Sequence, residues 1–339
     1  MEKVEKRSES LLNGRKQSAR KEVTKFSDRL RDYKRIIAPS NFSFIENPVE
    51  VIAFINKLRE AFDKRKKVFI VLEKITVITY DAIIVLLSIM IRFKSQKIEF
   101  NGDFPKDKVA NDILKKSGFF QYLYTRFADA PTYDLTEQNT IHTHASKMVN
   151  SELGLEIIET VSKKIWKEKR VYKGFQRTLI ELMQNTNNHA VKEGEEEKHW
   201  WLSVTIKPEE KRATFAFIDY GVGIFESLNA KPKDHKFADW AAKLKNIFLF
   251  TNNAEVLKLI LNGELHKTVS RQYYRGKGLP GIKDAMERNQ ISKLAIITNN
   301  VYANVEKDDF KSLNINFAGT FIYWELNDNN IYHPWTQLT

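Results

Sequence analysis

At 339 residues with 42% hydrophobic content, the chain carries enough apolar material for sizeable cores, and its length suggests two domains of ordinary size. It has no cysteine and seven scattered histidines, which excludes disulfides, thiol catalysis and cysteine-based zinc sites, so any metal is expected to be a hard cation brought with a substrate. The net charge of +12 invites a nucleic-acid partner, while the absence of any apolar run near the ~20 residues needed to span a bilayer and a highly charged first stretch, unlike a secretory signal, lead us to expect a cytoplasmic protein without a membrane partner.

The positive charge is concentrated at the start. Residues 1–35 hold 12 Lys/Arg against 6 Asp/Glu, so half of the excess lies in about a tenth of the chain. Two readings of this arm stay open: a solubilising extension, or an arm that touches an acidic partner such as nucleic acid. Val23, Phe26, Leu30 and Tyr33 recur at spacings of three and four, predicting an amphipathic helix from about 18 to 36, and residues 1–37 read as a basic helical extension. Pro39 and Ser40 break it.

From 38 to 130 the pattern alternates between strand and helix, as expected of an α/β domain. PVEVIAFINKLREAFDK (48–64) reads as a helix, KKVFIVLEKI as a buried strand, YDAIIVLLSIMIRF as a buried helix and KIEFNG as a second strand. Residues 106–126 supply a final helix and its exit. The stretch FIVLEKITVITYDAIIVLLSIM (69–90) resembles the sulfate-transporter and anti-sigma-antagonist (STAS) family, in which an apolar strand runs through a short acidic or serine loop into a helix of the form SSGLxxLL. Tyr80 and Asp81 stand where that family carries its serines, and Ala82 replaces the glycine. Asp81 therefore has two readings, a helix N-cap or a fixed negative charge imitating a phosphorylated serine. Either way, this loop is expected not to be switched by its own phosphorylation.

Residues 131–145 read as a linker, with His142 and His144 in a polar loop. An amphipathic helix is expected from Ser146 to Glu168. It is followed by FQRTLIELMQNTNNHA (175–190), where Glu181, Asn185 and His189 fall along one helix face at i, i+4 and i+8. WWLSVTI and TFAFID then read as strands joined by the polar turn KPEEKRA, and the second strand runs into DYGVGI (219–224). A carboxylate fixed at a strand end and followed by Gly221 and Gly223 lets backbone approach a flat ligand, and an exocyclic amine such as that of adenine suits Asp219. RGKGLPGIK (275–283) precedes a helix expected over 281–288. Its backbone N–H groups can hold phosphate oxygens, with Arg275 and Lys277 adding charge, although the Walker spacing is absent. A last strand, GTFIYWEL, is expected to open at Gly319 and Thr320.

The order ExxxNxxxHA, DxGxG, GxGL and GT before a terminal strand resembles the GHKL superfamily, the ATP-binding fold shared by gyrase, the heat-shock chaperone, sensor kinases and mismatch-repair ATPases. The resemblance covers residues 146–327, within a domain expected over 146–330. The pairing of Glu181 with His189-Ala190 is most similar to the anti-sigma-factor serine kinases, a signalling system that also uses STAS domains. The resemblance implies an α/β protein of two domains, a STAS-like domain followed by a GHKL (Bergerat) α/β sandwich. It implies Mg²⁺ held by Asn185, Glu181 as general base, adenine bound by Asp219 with Gly221 and Gly223 shaping its pocket and Thr320 reaching the base side. Gly276, Gly278 and Leu279 would belong to a phosphate-facing lid beside Arg275 and Lys277, and His189 would touch phosphate or cap its helix.

One departure is the span 225–275, a lid insertion with helical period at 237–250 and 254–262, which could cover ATP, recognise a partner or dimerise. Two functions follow as expectations: a regulatory ATPase or protein serine kinase with a regulatory or STAS-type protein partner, and an ATP-gated protein-binding module with negligible turnover. A nucleic-acid-associated ATPase rests on the basic arm alone.

Overall fold

The computed structural model describes residues 31–124, 140–145, 151–171, 176–183, 200–221, 223–225, 252–264, 278–331 and 333–334. The fold is mixed α/β, with both parallel and antiparallel sheets.

The first unit begins earlier than expected. Strand β1 (Lys34–Ile37) pairs in parallel with β3 (Val68–Val71), which pairs in parallel with β5 (Phe100–Gly102), giving the order β1-β3-β5. The predicted helix over 18–36 is thus corrected at its end. The sequence KRII satisfies a period of three or four as easily as a strand, and its backbone partner lies over 30 residues away. A second, two-stranded pairing joins β2 (Asn41–Phe42) to β4 (Val77–Ile78).

Helix α1 (Pro48–Asp63) starts with proline in its first turn, where the missing N–H costs nothing, and buries Val51, Ile52, Phe54, Ile55, Leu58 and Ala61 along one stripe. Helix α2 (Tyr80–Ser95) is buried almost all round, as a helix must be when it is apolar on every side. The expected single helix over 106–126 is two, α3 (Lys108–Lys116) and α4 (Phe119–Tyr124), separated at Gly118, whose φ is +79°. Asp107 caps α3 by accepting from Ala110 N at 2.9 Å.

Asp81 is neither an N-cap nor an exposed charge. Thr79 holds the cap position of α2. Asp81 sits two residues after it, in the first turn and buried, with Oδ2 accepting from the Phe44 and Ile45 N–H groups at 2.8 and 3.0 Å. Burial pushes its carboxyl above the usual range, against bonds from Thr79 and the backbone N–H groups that favour the anion. Because the folded value lies above the unfolded one of about 4, the folded state loses stability as pH rises from there through the raised value. Asp81→Asn keeps the acceptor oxygen without the ionisation and should flatten that decline, whereas Asp81→Ala orphans two N–H groups and should cost about 2–4 kcal/mol. Denaturation midpoints of the three proteins from about pH 4 to about pH 7 check both, and parallel pH profiles for wild type and Asp81→Asn would sink the first.

The second sheet is a five-stranded antiparallel one, ordered β10-β11-β9-β8-β6. It is built from β6 (Thr140–Ala145), β8 (Trp200–Lys207), β9 (Arg212–Asp219), β10 (Ser292–Asn304) and β11 (Asp309–Asn327). Strand β6 corrects the expected linker. Thr140 through Ala145 pair residue by residue with Thr205 through Trp200, so the backbone at His142 and His144 is strand and not loop. A further antiparallel pair joins β7 (Arg170–Val171) to β12 (His333–Pro334).

One face of this sheet carries α5 (Ser151–Trp166), α6 (residues 176–183), α7 (Asn253–Leu261) and α8 (Gly278–Glu287). Ile157, Val161, Leu179, Met183, Trp200, Phe215, Phe217, Leu257, Ile282, Ile296 and Trp324 form one core there, with Phe215 stacked on Trp324 at 5.3 Å. Helix α7 falls where the period at 254–262 placed one, capped by Asn252. The expected helix at 237–250 and most of the basic arm lie outside the described residues.

The opposite face is covered by the first unit. Trp201, Ala216, Ile218, Ile297, Phe317 and Phe321 belong to the same core as Phe44, Ile52, Leu58 and nearly all of α2. Phe44 sits edge-on to both Phe317 and Phe321, at 5.2 and 4.7 Å. The chain is therefore layered, with the five-stranded sheet in the middle and both of its faces dry. This explains why WWLSVTI reads as a continuous apolar run, since alternation disappears when neither face meets water.

Candidate functional site

The carboxyl end of β9 meets two neighbours at one level of the sheet. Register places Asp219 opposite Thr320 of β11 on one side and Trp200 of β8 on the other, and Thr320 opposite Thr298 of β10. Strand alternation puts Asp219, with Phe215 and Phe217, on the helix-covered face, and Thr320 with Ile322 and Trp324 on that same face. Three adjacent strands thus present a carboxylate and two hydroxyls together.

Beyond this level the ladder is interrupted. Thr320 pairs with Thr298, but Asn299 pairs with Phe317, so Ala318 and Gly319 form a bulge on β11. The Gly319 carbonyl freed by it accepts from Thr298 Oγ1 at 3.0 Å. Gly319 has φ +143°, and a methyl added there would meet the Asp219 carbonyl at 2.3 Å. The expectation that Gly319 and Thr320 open the last strand is corrected: they lie inside a strand of 19 residues, which the bulge lets read as two.

The turn after Asp219 is tied to β10. Ile224 N donates to Thr298 Oγ1 at 3.1 Å and Phe225 N to Asn299 Oδ1 at 3.4 Å. Gly223 has φ +81°, and a Cβ there would lie 2.3 Å from Asn299 Oδ1. The second glycine of DxGxG therefore serves the close approach of this turn to the sheet. Gly221 sits at the bend itself, half-buried.

Glu181 enters from α6, which is packed onto the same face through Leu179, Leu182 and Met183. Its Oε1 accepts from Arg177 Nε at 2.8 Å, one helical turn away. Its Oε2 is enclosed and has no hydrogen-bond partner among the described residues, and it lies 3.3 Å from where a Cβ on Gly281 would stand. Gly278, Leu279, Pro280 and Gly281 form the first turn of α8, so the structure brings Glu181 against the segment containing Gly278 and Leu279. That helix starts at Gly278, earlier than the expected 281.

Asn185, His189, Arg275, Gly276 and Lys277 lie outside the described residues. Three residues of the assembly were not anticipated: Thr298, Asn299 and Tyr220. The first two end an apolar run, LAIITNN, which has the same form as TFAFID followed by its turn. Tyr220 gave no signal, because its role lies on the far face of the sheet. Among the described residues no group of three or more His, Cys, Asp or Glu could hold a metal ion, and no helix is long and apolar enough to cross a membrane. No family model matches the chain, and no curated protein matches its sequence.

Proposed function

We propose that the chain is a Mg-ATP-binding protein of the GHKL type, acting as a regulatory ATPase or protein serine kinase on a protein partner. The observation that carries this reading is the convergence of Asp219, Thr298 and Thr320 at one level of three adjacent strands, with Glu181 held against the first turn of α8 on the same side. Asp219, Thr320 and Glu181 are residues whose order in the chain first suggested it, and Glu181 and Thr320 are 139 positions apart. The layered arrangement, a five-stranded sheet with helices α5 to α8 on one face, supports it as well.

The donor set fits a nucleotide. Asp219 accepts from the exocyclic amine of adenine and Thr320 offers a hydroxyl to the ring, while Gly221 and Gly223 would shape the pocket for a flat base. The N–H groups at the start of α8 suit phosphate oxygens. Asn185 would supply a hard oxygen ligand to Mg²⁺, with Arg275, Gly276 and Lys277 completing the lid. Bound ATP supplies a transferable γ-phosphoryl group. Glu181 takes a proton from the attacking hydroxyl through Oε2 while Arg177 keeps Oε1 oriented. The acceptor belongs to another protein, because Asp81, where the STAS family carries a serine, is enclosed and bonded to backbone.

Calorimetric titration with Mg-ATP and Mg-GTP tests the reading. The wild type should prefer ATP, since guanine presents a carbonyl where adenine presents its amine, and Asp219→Asn should lose about 1–3 kcal/mol of ATP binding along with that preference. Absence of ATP binding by the wild type would remove the proposal. If ATP binds but is never turned over, the remaining function is an ATP-gated protein-binding module.

A further inference from the structure

Tyr220, between Asp219 and Gly221, turns its side chain away from the site and into the first unit. Its hydroxyl lies 2.9 Å from Ser88 Oγ and donates to the Val85 carbonyl at 3.2 Å, both in α2. Ser88 is fully buried and donates to the same carbonyl at 2.7 Å. Burial raises the Tyr220 phenol to about 12, so it remains a donor at any ordinary pH. Arg59 of α1 lies over the Tyr220 ring at 5.5 Å and donates through Nη1 to the Ala318 carbonyl at 2.6 Å. Three residues before it on α1, Asn56 Nδ2 donates to the Asn316 carbonyl at 2.9 Å along the same strand.

These contacts fall where the sheet holds its own backbone least. The β9–β11 ladder ends at Asp219 and Thr320, and Ala318 and Gly319 form the bulge with no β10 partner. Residues 220, 221 and 223 of the turn and the bulge 318–319 are therefore held by side chains and not by the ladder. On the helix-covered face Thr298 and Asn299 hold them, and on the other face α1 and α2 do so.

We infer that α1 and α2 are positioning elements of the nucleotide site, acting through Tyr220, Ser88 and Arg59 on the Asp219–Gly223 turn and on the Ala318–Thr320 bulge. Nucleotide occupancy and the docking of the first unit on the sheet are then one coupled equilibrium: a ligand that favours the ordered turn favours the docked helices, and loosening the helices weakens the ligand by the same factor. This rests on the reading of the site as a nucleotide site. It makes the first unit a regulator of that site, because a partner that binds α1 unequally in its docked and loosened states is felt at Asp219.

The test uses the full chain, Mg-ATP and Mg-ADP as probes, and two readouts. Tyr220→Phe should raise Kd about fivefold, the worth of one hydrogen bond, and equally for ATP and ADP, because the tether acts on the base side. The double variant Tyr220→Phe/Ser88→Ala removes both partners and leaves no orphaned hydroxyl, so it should stay folded while binding as weakly as Tyr220→Phe. Independently of any variant, Mg-ATP should slow hydrogen exchange of the amides of α2 in the wild type, and that protection should vanish in the double variant. Wild-type ATP binding with unaltered exchange in α2 and unchanged Kd in both variants would overturn the coupling while leaving the site reading intact. A wild type that binds neither nucleotide would overturn both.

Discussion

Glu181→Gln is expected to lower ATP turnover about 10²–10⁴-fold while ATP affinity stays close to that of the wild type. The side chain is 17% exposed, and its two oxygens are unequal. One is engaged by Arg177 at 2.8 Å, and the other is enclosed, against Gly281 and without a hydrogen-bond partner among the described residues. An enclosed carboxylate oxygen without a donor is costly, and such a cost is retained where the oxygen has work with a ligand. Glutamine keeps the volume and the contact with Arg177 but cannot take a proton. Steady-state phosphate release measures the effect, and the melting temperature separates it from stability. A variant that melts differently but turns ATP over at the wild-type rate would make Glu181 a structural residue. Asn185→Ala should instead lose Mg-dependent binding. Equal background turnover in wild type, Glu181→Gln and Asn185→Ala would leave only the ATP-gated binding module.

The largest expected loss of stability comes from Gly319→Ala. At φ +143° any L side chain is strained, at about 1–3 kcal/mol, and here the new methyl would also stand 2.3 Å from the Asp219 carbonyl. That oxygen belongs to the backbone of β9 at its pairing with Thr320, so relief requires moving the strand and not a rotamer. Overpacking adds about 1–3 kcal/mol, and we expect a total of about 3 kcal/mol or more. Gly263 serves as the control: its φ is +69° and an added Cβ meets nothing within 4 Å, so Gly263→Ala should cost only about 1–2 kcal/mol. Denaturant midpoints at constant m-value compare the two. A Gly319→Ala protein that unfolds at the wild-type midpoint would contradict the bulge geometry.

The sequence alone determined those features whose cause is local. The stripe of α1, the apolar run of β3, the hairpin of β8 and β9 and the helical period of α7 all follow from residues within a few positions of one another. Asp219 and Glu181 were legible as candidates for the same reason: one ends a strand before a glycine turn, and the other rides an amphipathic helix.

Tertiary structure decided whatever depended on a distant partner. Lys34–Ile37 became a strand because β3 supplies its hydrogen bonds, and Thr140–Ala145 because β8 does. Asp81 became a buried tie because the turn at 44–45 presents two N–H groups to it. Most of all, the apolar character of WWLSVTI and of α2 announced that both were enclosed without saying by what. Hydrophobicity has no direction in it, so a sequence records how much surface must leave water and on which faces, whereas the partner that covers it is chosen only when the whole chain packs. That choice set α2 against the back of the sheet, and with it the hydroxyl of Ser88 beneath Tyr220 in the middle of the DxGxG turn.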